Sequence, residues 1–142
     1  MKLLFICTHN RCRSILCEAI ANQRGAGLVQ AASAGSAPVE AVHPLTLRYL
    51  EERGYSTTGL QSQSWHDLQG FEPDRVITVC DSAAGEACPL WMGEVEKHHW
   101  GLPDPSRVEG DDAAIRSAFM AVMDRIEAKV DEWAREAQSS RQ

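Results

Sequence analysis

Eight residues near the start of the chain, Cys7-Thr8-His9-Asn10-Arg11-Cys12-Arg13-Ser14, pair a thiol with a guanidinium and a hydroxyl. Five residues separate Cys7 from Arg13. The apolar run Leu3-Leu4-Phe5-Ile6 reads as a strand buried on both faces, and a helical pattern follows from Ser14. A turn between a strand end and a helix start directs backbone N–H groups into a concavity, to which the helix N-terminus adds partial positive charge. Such a nest suits a tetrahedral oxyanion, and Arg13 brings a planar fork able to bond two of its oxygens. The same field is expected to lower the pKa of Cys7 and supply a thiolate nucleophile, with Ser14 as hydroxyl donor to the sulfur. Thr8, His9, Asn10, Arg11, Cys12, Arg13 and Ser14 are therefore the candidate oxyanion-binding residues. The plainer alternative is a packed strand-end cysteine beside a solvated arginine, and strand, spacing, Ser14 and helix together argue against it.

Three more residues bear on chemistry. Asp104 precedes Pro105, a common turn dipeptide that also places a carboxyl where it can protonate a departing oxygen. Cys80 ends the second strong strand pattern, Arg75-Val76-Ile77-Thr78-Val79, so a parallel sheet would bring it beside the end of the first strand and within reach of Cys7. Cys88 lies eight positions further on, across a stretch of small residues that includes Gly85. Bridging two cysteines needs Cα atoms within about 7 Å. Cys80, Cys88, His98 and His99 lack the ligand spacing of structural zinc sites, and no metal site is expected. Cys17 reads as helix packing, and of His98 and His99 one is expected packed and one exposed.

The elements that position these residues alternate. A helix is expected over residues 14–23, a strand over 29–34, and a second helix from His43-Pro44 to Arg53 with Gly54 closing it. A short helical piece is expected over residues 62–68, strands over 75–79 and 94–100, and a loop over 101–110. Asp111 or Asp112 caps a last helix whose stripe is Ile115, Phe119, Val122, Met123, Ile126, Val130 and Trp133. Strands alternating with helices predict an α/β fold, one domain over residues 1–137 with a polar, frayed tail at 138–142.

Composition narrows the partners. The chain has 142 residues, 44% apolar and 24% charged, as in an ordinary globular protein with one core. A net charge of −6 disfavours nucleic acid and anionic membranes. No segment is apolar for long enough to span a bilayer, and the short apolar N-terminus is no signal peptide, so a cytoplasmic location is expected. In that reducing setting the five cysteines rest as thiols.

The loop resembles that of the low-molecular-weight protein tyrosine phosphatase superfamily: Cys, five residues, Arg, then Ser or Thr. The resemblance runs through Ser33-Ala34-Gly35, Val76-Ile77-Thr78-Val79-Cys80-Asp81, Cys88-Pro89 and His99-Trp100-Gly101-Leu102-Pro103-Asp104-Pro105, and within the superfamily it is closest to bacterial arsenate reductases. It implies a four-stranded parallel sheet flanked by helices in three layers, with Asp104 as general acid. Ser106 stands where the phosphatase branch has an aromatic residue, which leans away from a tyrosine-phosphate substrate. A phosphatase needs one nucleophile and water, whereas a reductase delivers two electrons by turning thiols into a disulfide. The resemblance implies that Cys7 attacks arsenate, Cys80 attacks Cys7 as arsenite leaves, and Cys88 then attacks Cys80. An external thiol protein, thioredoxin or glutaredoxin with glutathione, would reduce the final disulfide, with no bound cofactor. The alternatives are a phosphatase acting on aryl phosphates and a non-catalytic oxyanion or redox sensor. Some relatives hold potassium near the loop. Asn10, Glu18 and Ser33 match three of its positions, but Gln61-Ser62-Gln63-Ser64-Trp65 offers no acid for the fourth, so no cation site is expected.

Overall fold

The computed structural model describes residues 1–80, 93 and 95–140. Cys88 and the Cys88-Pro89 pair lie outside the described residues. Four parallel strands, β1 (Lys2–Ile6), β2 (Gln30–Ala34), β3 (Arg75–Thr78) and β4 (Glu96–His99), form a sheet in the order β2-β1-β3-β4. Parallel neighbours need crossovers, which α1 (Arg13–Arg24) and α2 (Pro44–Glu52) supply along the chain, and α3 (Asp112–Ser140) closes it. This is the expected α/β architecture, a parallel sheet flanked by helices.

The unbroken apolar run of β1 is explained by its place: it is an inner strand, and Leu3, Leu4, Phe5 and Ile6 are all buried. Each such side chain contributes about 1.5–3 kcal/mol on leaving water. Phe5 meets Trp133 of α3 with ring centroids 5.5 Å apart, and Trp133 meets Trp100 edge-on at 5.6 Å. Along α3, Phe119, Val122, Met123, Ile126, Val130 and Trp133 are buried as the stripe requires, and Ala137 extends it. With no Gly or Pro to break it and Ala137 in contact, the helix continues to Ser140, beyond the expected start of a frayed tail.

α2 begins on His43, whose Nδ1 accepts from the Leu45 N–H at 3.1 Å. It ends in a Schellman turn: the Tyr55 N–H reaches the Leu50 carbonyl and the Gly54 N–H reaches that of Glu51. Gly54 adopts φ +90°, where a side chain would be strained. The short helical piece falls later than expected, as a 3-10 segment at Trp65–Phe71 kinked at Leu68, and a second covers Pro105–Arg107 within the expected loop. β3 stops at Thr78, yet the Val79 N–H still bonds the Ile6 carbonyl at 2.9 Å, so the main chain stays in register up to Cys80. Among the described residues no helix is long and apolar enough to cross a membrane.

Candidate oxyanion site

The register of β1 on β3 aligns Ile6 with Thr78, and both chains continue past the sheet edge. Cys7 and Cys80 therefore leave adjacent strands side by side, as expected. Their side chains line one cavity, close enough for Cys80 to influence the Cys7 thiol. The Thr8 N–H donates to the Cys80 sulfur at 3.4 Å. Both cysteines are buried, at 6% and 3% exposure.

The loop is shaped from outside. The Thr8 carbonyl accepts from the Ala37 N–H at 2.9 Å, and the His9 carbonyl from the Ser62 hydroxyl at 3.0 Å and the Val39 N–H at 3.3 Å. The Arg11 carbonyl accepts from the His43 N–H at 3.0 Å and the Thr46 hydroxyl at 3.3 Å. A peptide plane that turns its carbonyl outward turns the next N–H inward. By that geometry the amides of His9, Asn10 and Cys12 turn toward the concavity, and the His9 N–H favours the Cys7 thiolate. Gly35 presses against the loop so closely that a Cβ there would stand 2.4 Å from the Thr8 oxygen and 2.7 Å from that of Cys7.

Two adjoining cavities open at the loop, of about 140 Å³ and about 310 Å³. Cys7, His9, Arg13, Asp104 and Arg107 line both, Cys12 and Arg11 the smaller, and Thr8 and Cys80 the larger. Asn10 and Ser14 are fully buried and lie behind the loop instead. Arg13 opens α1. Its guanidinium donates to the Leu102 carbonyl at 3.0 Å and stands 3.7 Å from an oxygen of Asp104. Asp104 is brought there because the Leu102 N–H bonds the Val79 carbonyl at 3.0 Å, tying the loop after β4 to the end of β3.

One oxygen of Asp104 accepts from the Ser106 N–H at 3.0 Å and the Ser106 hydroxyl at 2.6 Å. The other faces Arg13 and, at 3.5 Å, Arg107. A carboxyl held by one oxygen presents the second to the cavity, which is what a general acid requires. Ser106, noted in the sequence only as a departure, is the residue that holds it. Arg107 was not anticipated. An exposed arginine on a short turn has no pattern that marks it, and only the fold brings it to the cavity mouth.

The electrostatics at Cys7 reverse one expectation. Its thiol is pushed up, first by the hydrogen bond with Cys80, then by burial and the Cys80 charge, while Arg13 and the His9 N–H pull it down. Two thiols in contact share their titration, and the second to ionise opposes the charge of the first. Cys7 thus holds its proton more firmly than an ordinary thiol, while the Cys80 sulfur accepts from the Thr8 N–H. Burial also pushes the Cys12 thiol up to about 12, so it stays protonated. Cys17 is fully buried packing, as expected. His98 and His99 are both exposed, correcting the expected division between them: β4 is an edge strand, where one ring meets Glu96 at 2.8 Å and the other the Thr78 hydroxyl at 2.8 Å. They line a separate cavity of about 340 Å³ with Trp100 and Trp133, away from the thiols.

A parallel sheet that carries a Cys-x5-Arg-Ser nest at its strand ends, with an acid opposite, defines a class of thiol-dependent proteins that handle tetrahedral oxyanions. The chain belongs to the low molecular weight phosphotyrosine protein phosphatase family, which it matches over residues 2–142. Among curated relatives it is 31% identical over 134 residues to the arsenate reductase of Bacillus subtilis, covering 93% of this chain and 94% of that one. It is 28% identical over 130 residues to a glutaredoxin arsenate reductase of Synechocystis, covering 92% and 93%. Among solved structures, a thioredoxin-dependent arsenate reductase of Corynebacterium glutamicum superposes with a TM-score of 0.73 at 28% identity, over 98% of this chain and 62% of that one.

Proposed function

We propose that the protein reduces arsenate to arsenite with thiols as the electron source. The observation that carries the reading is the second buried thiol, Cys80, which lines the same oxyanion cavity as Cys7. Hydrolysis has no use for it, whereas reduction needs a second sulfur within bonding reach of the first. The curated relatives named as arsenate reductases support the same substrate.

Arsenate enters as the dianion against Arg13, Arg107 and the inward amides. It takes the Cys7 proton, which leaves the thiolate. Cys7 sulfur then bonds to arsenic, and one oxygen leaves as water with a proton from Asp104. Cys80 gives its proton to an arsenic-bound oxygen and attacks the Cys7 sulfur as a thiolate, breaking the sulfur–arsenic bond. The electron pair of that bond stays on arsenic, which departs as arsenite at two electrons lower oxidation state, and Cys7 and Cys80 are left as a disulfide. Cys88 attacks Cys80, frees Cys7 and moves the disulfide to Cys80 and Cys88, where a cytoplasmic dithiol partner reduces it. Thioredoxin is the first candidate for that partner and glutaredoxin with glutathione the second, since similar proteins carry both names.

The test is NADPH oxidation coupled to arsenate, run once with thioredoxin and its reductase and once with glutaredoxin, glutathione and glutathione reductase. Arsenate-dependent oxidation in one arm, lost in Cys80→Ser and in Cys88→Ser, is expected. No oxidation in either arm, with aryl phosphate hydrolysed instead, overturns the reading in favour of a phosphatase. Tight arsenate binding without either reaction would point to a sensor.

A further inference from the structure

Behind the loop, Asn10, Glu18 and Ser33 match three of the positions that serve potassium in some relatives, and their hydrogen bonds decide whether a cation fits here. The Gln63 backbone N–H can only donate, so the Asn10 atom it meets at 2.8 Å is Oδ1. The other end of Asn10 is then the amide nitrogen, which donates to Ser14 Oγ at 2.8 Å and to Ser33 Oγ at 3.0 Å. The Ser33 carbonyl can only accept, so the Gln63 side-chain atom 2.9 Å away is Nε2. The Ser33 hydroxyl gives its hydrogen to Glu18 Oε1 at 2.7 Å. Burial pushes the Glu18 carboxyl above its ordinary range, against the pull of Ser33. A hard cation needs oxygen lone pairs facing one point. Here the Asn10 and Gln63 amides donate to the Ser14 and Ser33 hydroxyl oxygens and to the Ser33 carbonyl, so N–H groups hold the lone pairs a cation would need. The residues present do not fit potassium.

We propose that Gln63 takes over the mechanical work of a cation and is a positioning residue for the oxyanion site, holding the back of the loop by its backbone N–H and side-chain amide together. Asn10 is fully buried and adopts φ +48°, a left-handed conformation that a non-glycine residue keeps only when its surroundings over-determine it. Its Oδ1 bond to Gln63 and its two amide bonds to the serines supply that constraint. Both amide hydrogens of Asn10 are engaged, so the Ser14 hydroxyl hydrogen points away from Asn10. Gln63 itself is anchored, because the Gly35 N–H donates to its carbonyl at 2.9 Å and the Trp65 N–H donates to the Gly35 carbonyl at 3.0 Å. It lines neither loop cavity, so it acts through Asn10 and Ser33.

The proposal rests on the loop binding a tetrahedral oxyanion, and the test reads that binding directly. Inorganic phosphate affinity by calorimetry and the thermal midpoint are measured in potassium chloride and in tetramethylammonium chloride at one ionic strength. The wild type is expected to show the same affinity and midpoint in both salts. Gln63→Ala, folded by circular dichroism, is expected to bind phosphate about three- to tenfold more weakly in both. Gln63→Glu sets oxygen against the Ser33 carbonyl, so its affinity is expected to be weak in tetramethylammonium and to recover in potassium. A potassium response in the wild type, or unchanged affinity in folded Gln63→Ala, overturns the proposal alone. If Gln63→Ala does not fold, the absence of a potassium response in Gln63→Glu overturns it. A wild type that binds no phosphate overturns the oxyanion reading and the proposal with it.

Discussion

The loop at residues 7–14 has two sides that are built differently. On the front, Cys7 and Cys80 line one cavity, and Asp104 stands between two arginines at 3.7 and 3.5 Å. Those charges are opposed and partly open to a cavity, so an anion that enters can change how they pair. On the back, Asn10, Ser14 and Ser33 are completely buried, and each bonds to a protein partner. Polar groups removed from water are costly unless satisfied, and a network satisfied throughout holds one geometry. The reactive side is thus adjustable because the supporting side is not. Reactivity and rigidity sit on opposite faces of the same eight residues.

Changes on each face should therefore fail in different ways. The largest effect is expected from Cys7→Ser, which removes the nucleophile and leaves the nest: arsenate turnover should fall at least about a thousandfold. Phosphate affinity by calorimetry should barely move, and if it collapsed too, the front would not be separable from the support. Asp104→Asn should lower kcat by about a hundredfold with a smaller change in KM, as steady-state kinetics would record. An unchanged kcat would remove Asp104 from its role as acid.

On the supporting side, Gly35→Ala places a methyl 2.4 Å from the Thr8 oxygen and forces backbone to move. A loss of about 1–3 kcal/mol in denaturant unfolding is expected, together with weaker anion binding. The smallest effect sharpens the front. Cys80→Ala removes the largest influence holding the Cys7 thiol up, so its pKa should fall and more thiolate should be present at neutral pH. Alkylation of Cys7 by iodoacetamide should then be about three- to tenfold faster than in the wild type. Slower alkylation would mean that Cys80 assists ionisation instead.

The same division governs what the sequence reveals. The front was legible because chemistry restricts residue type: a thiol and an arginine with five residues between them, after an apolar run and before a helix, have few uses. The parallel order of β1 and β3 followed from alternation, and with it the meeting of Cys7 and Cys80. Asp104 was legible through its dipeptide and the resemblance together. The back was not. Gln63 and Ser62 lie in a polar stretch that any surface loop could carry, and their importance depends on a bridge between Gly35 and Ser64 that no local pattern encodes. Arg107 and the role of Ser106 were hidden for the same reason, since a three-residue turn brings them to Asp104. The raised Cys7 thiol is hidden in the loop sequence because its largest cause, the Cys80 sulfur, comes from another strand.

Two electrons are expected to leave the buried thiol pair for the bound oxyanion. Fully reduced protein, freed of reductant and mixed anaerobically with arsenate, can be followed for one turnover by arsenic speciation and by peptide mapping of the quenched thiols. One arsenite per chain, two thiols lost and a disulfide containing Cys80 are the predicted result. Arsenate recovered unchanged, with Cys7 and Cys80 still alkylated as thiols, would contradict it.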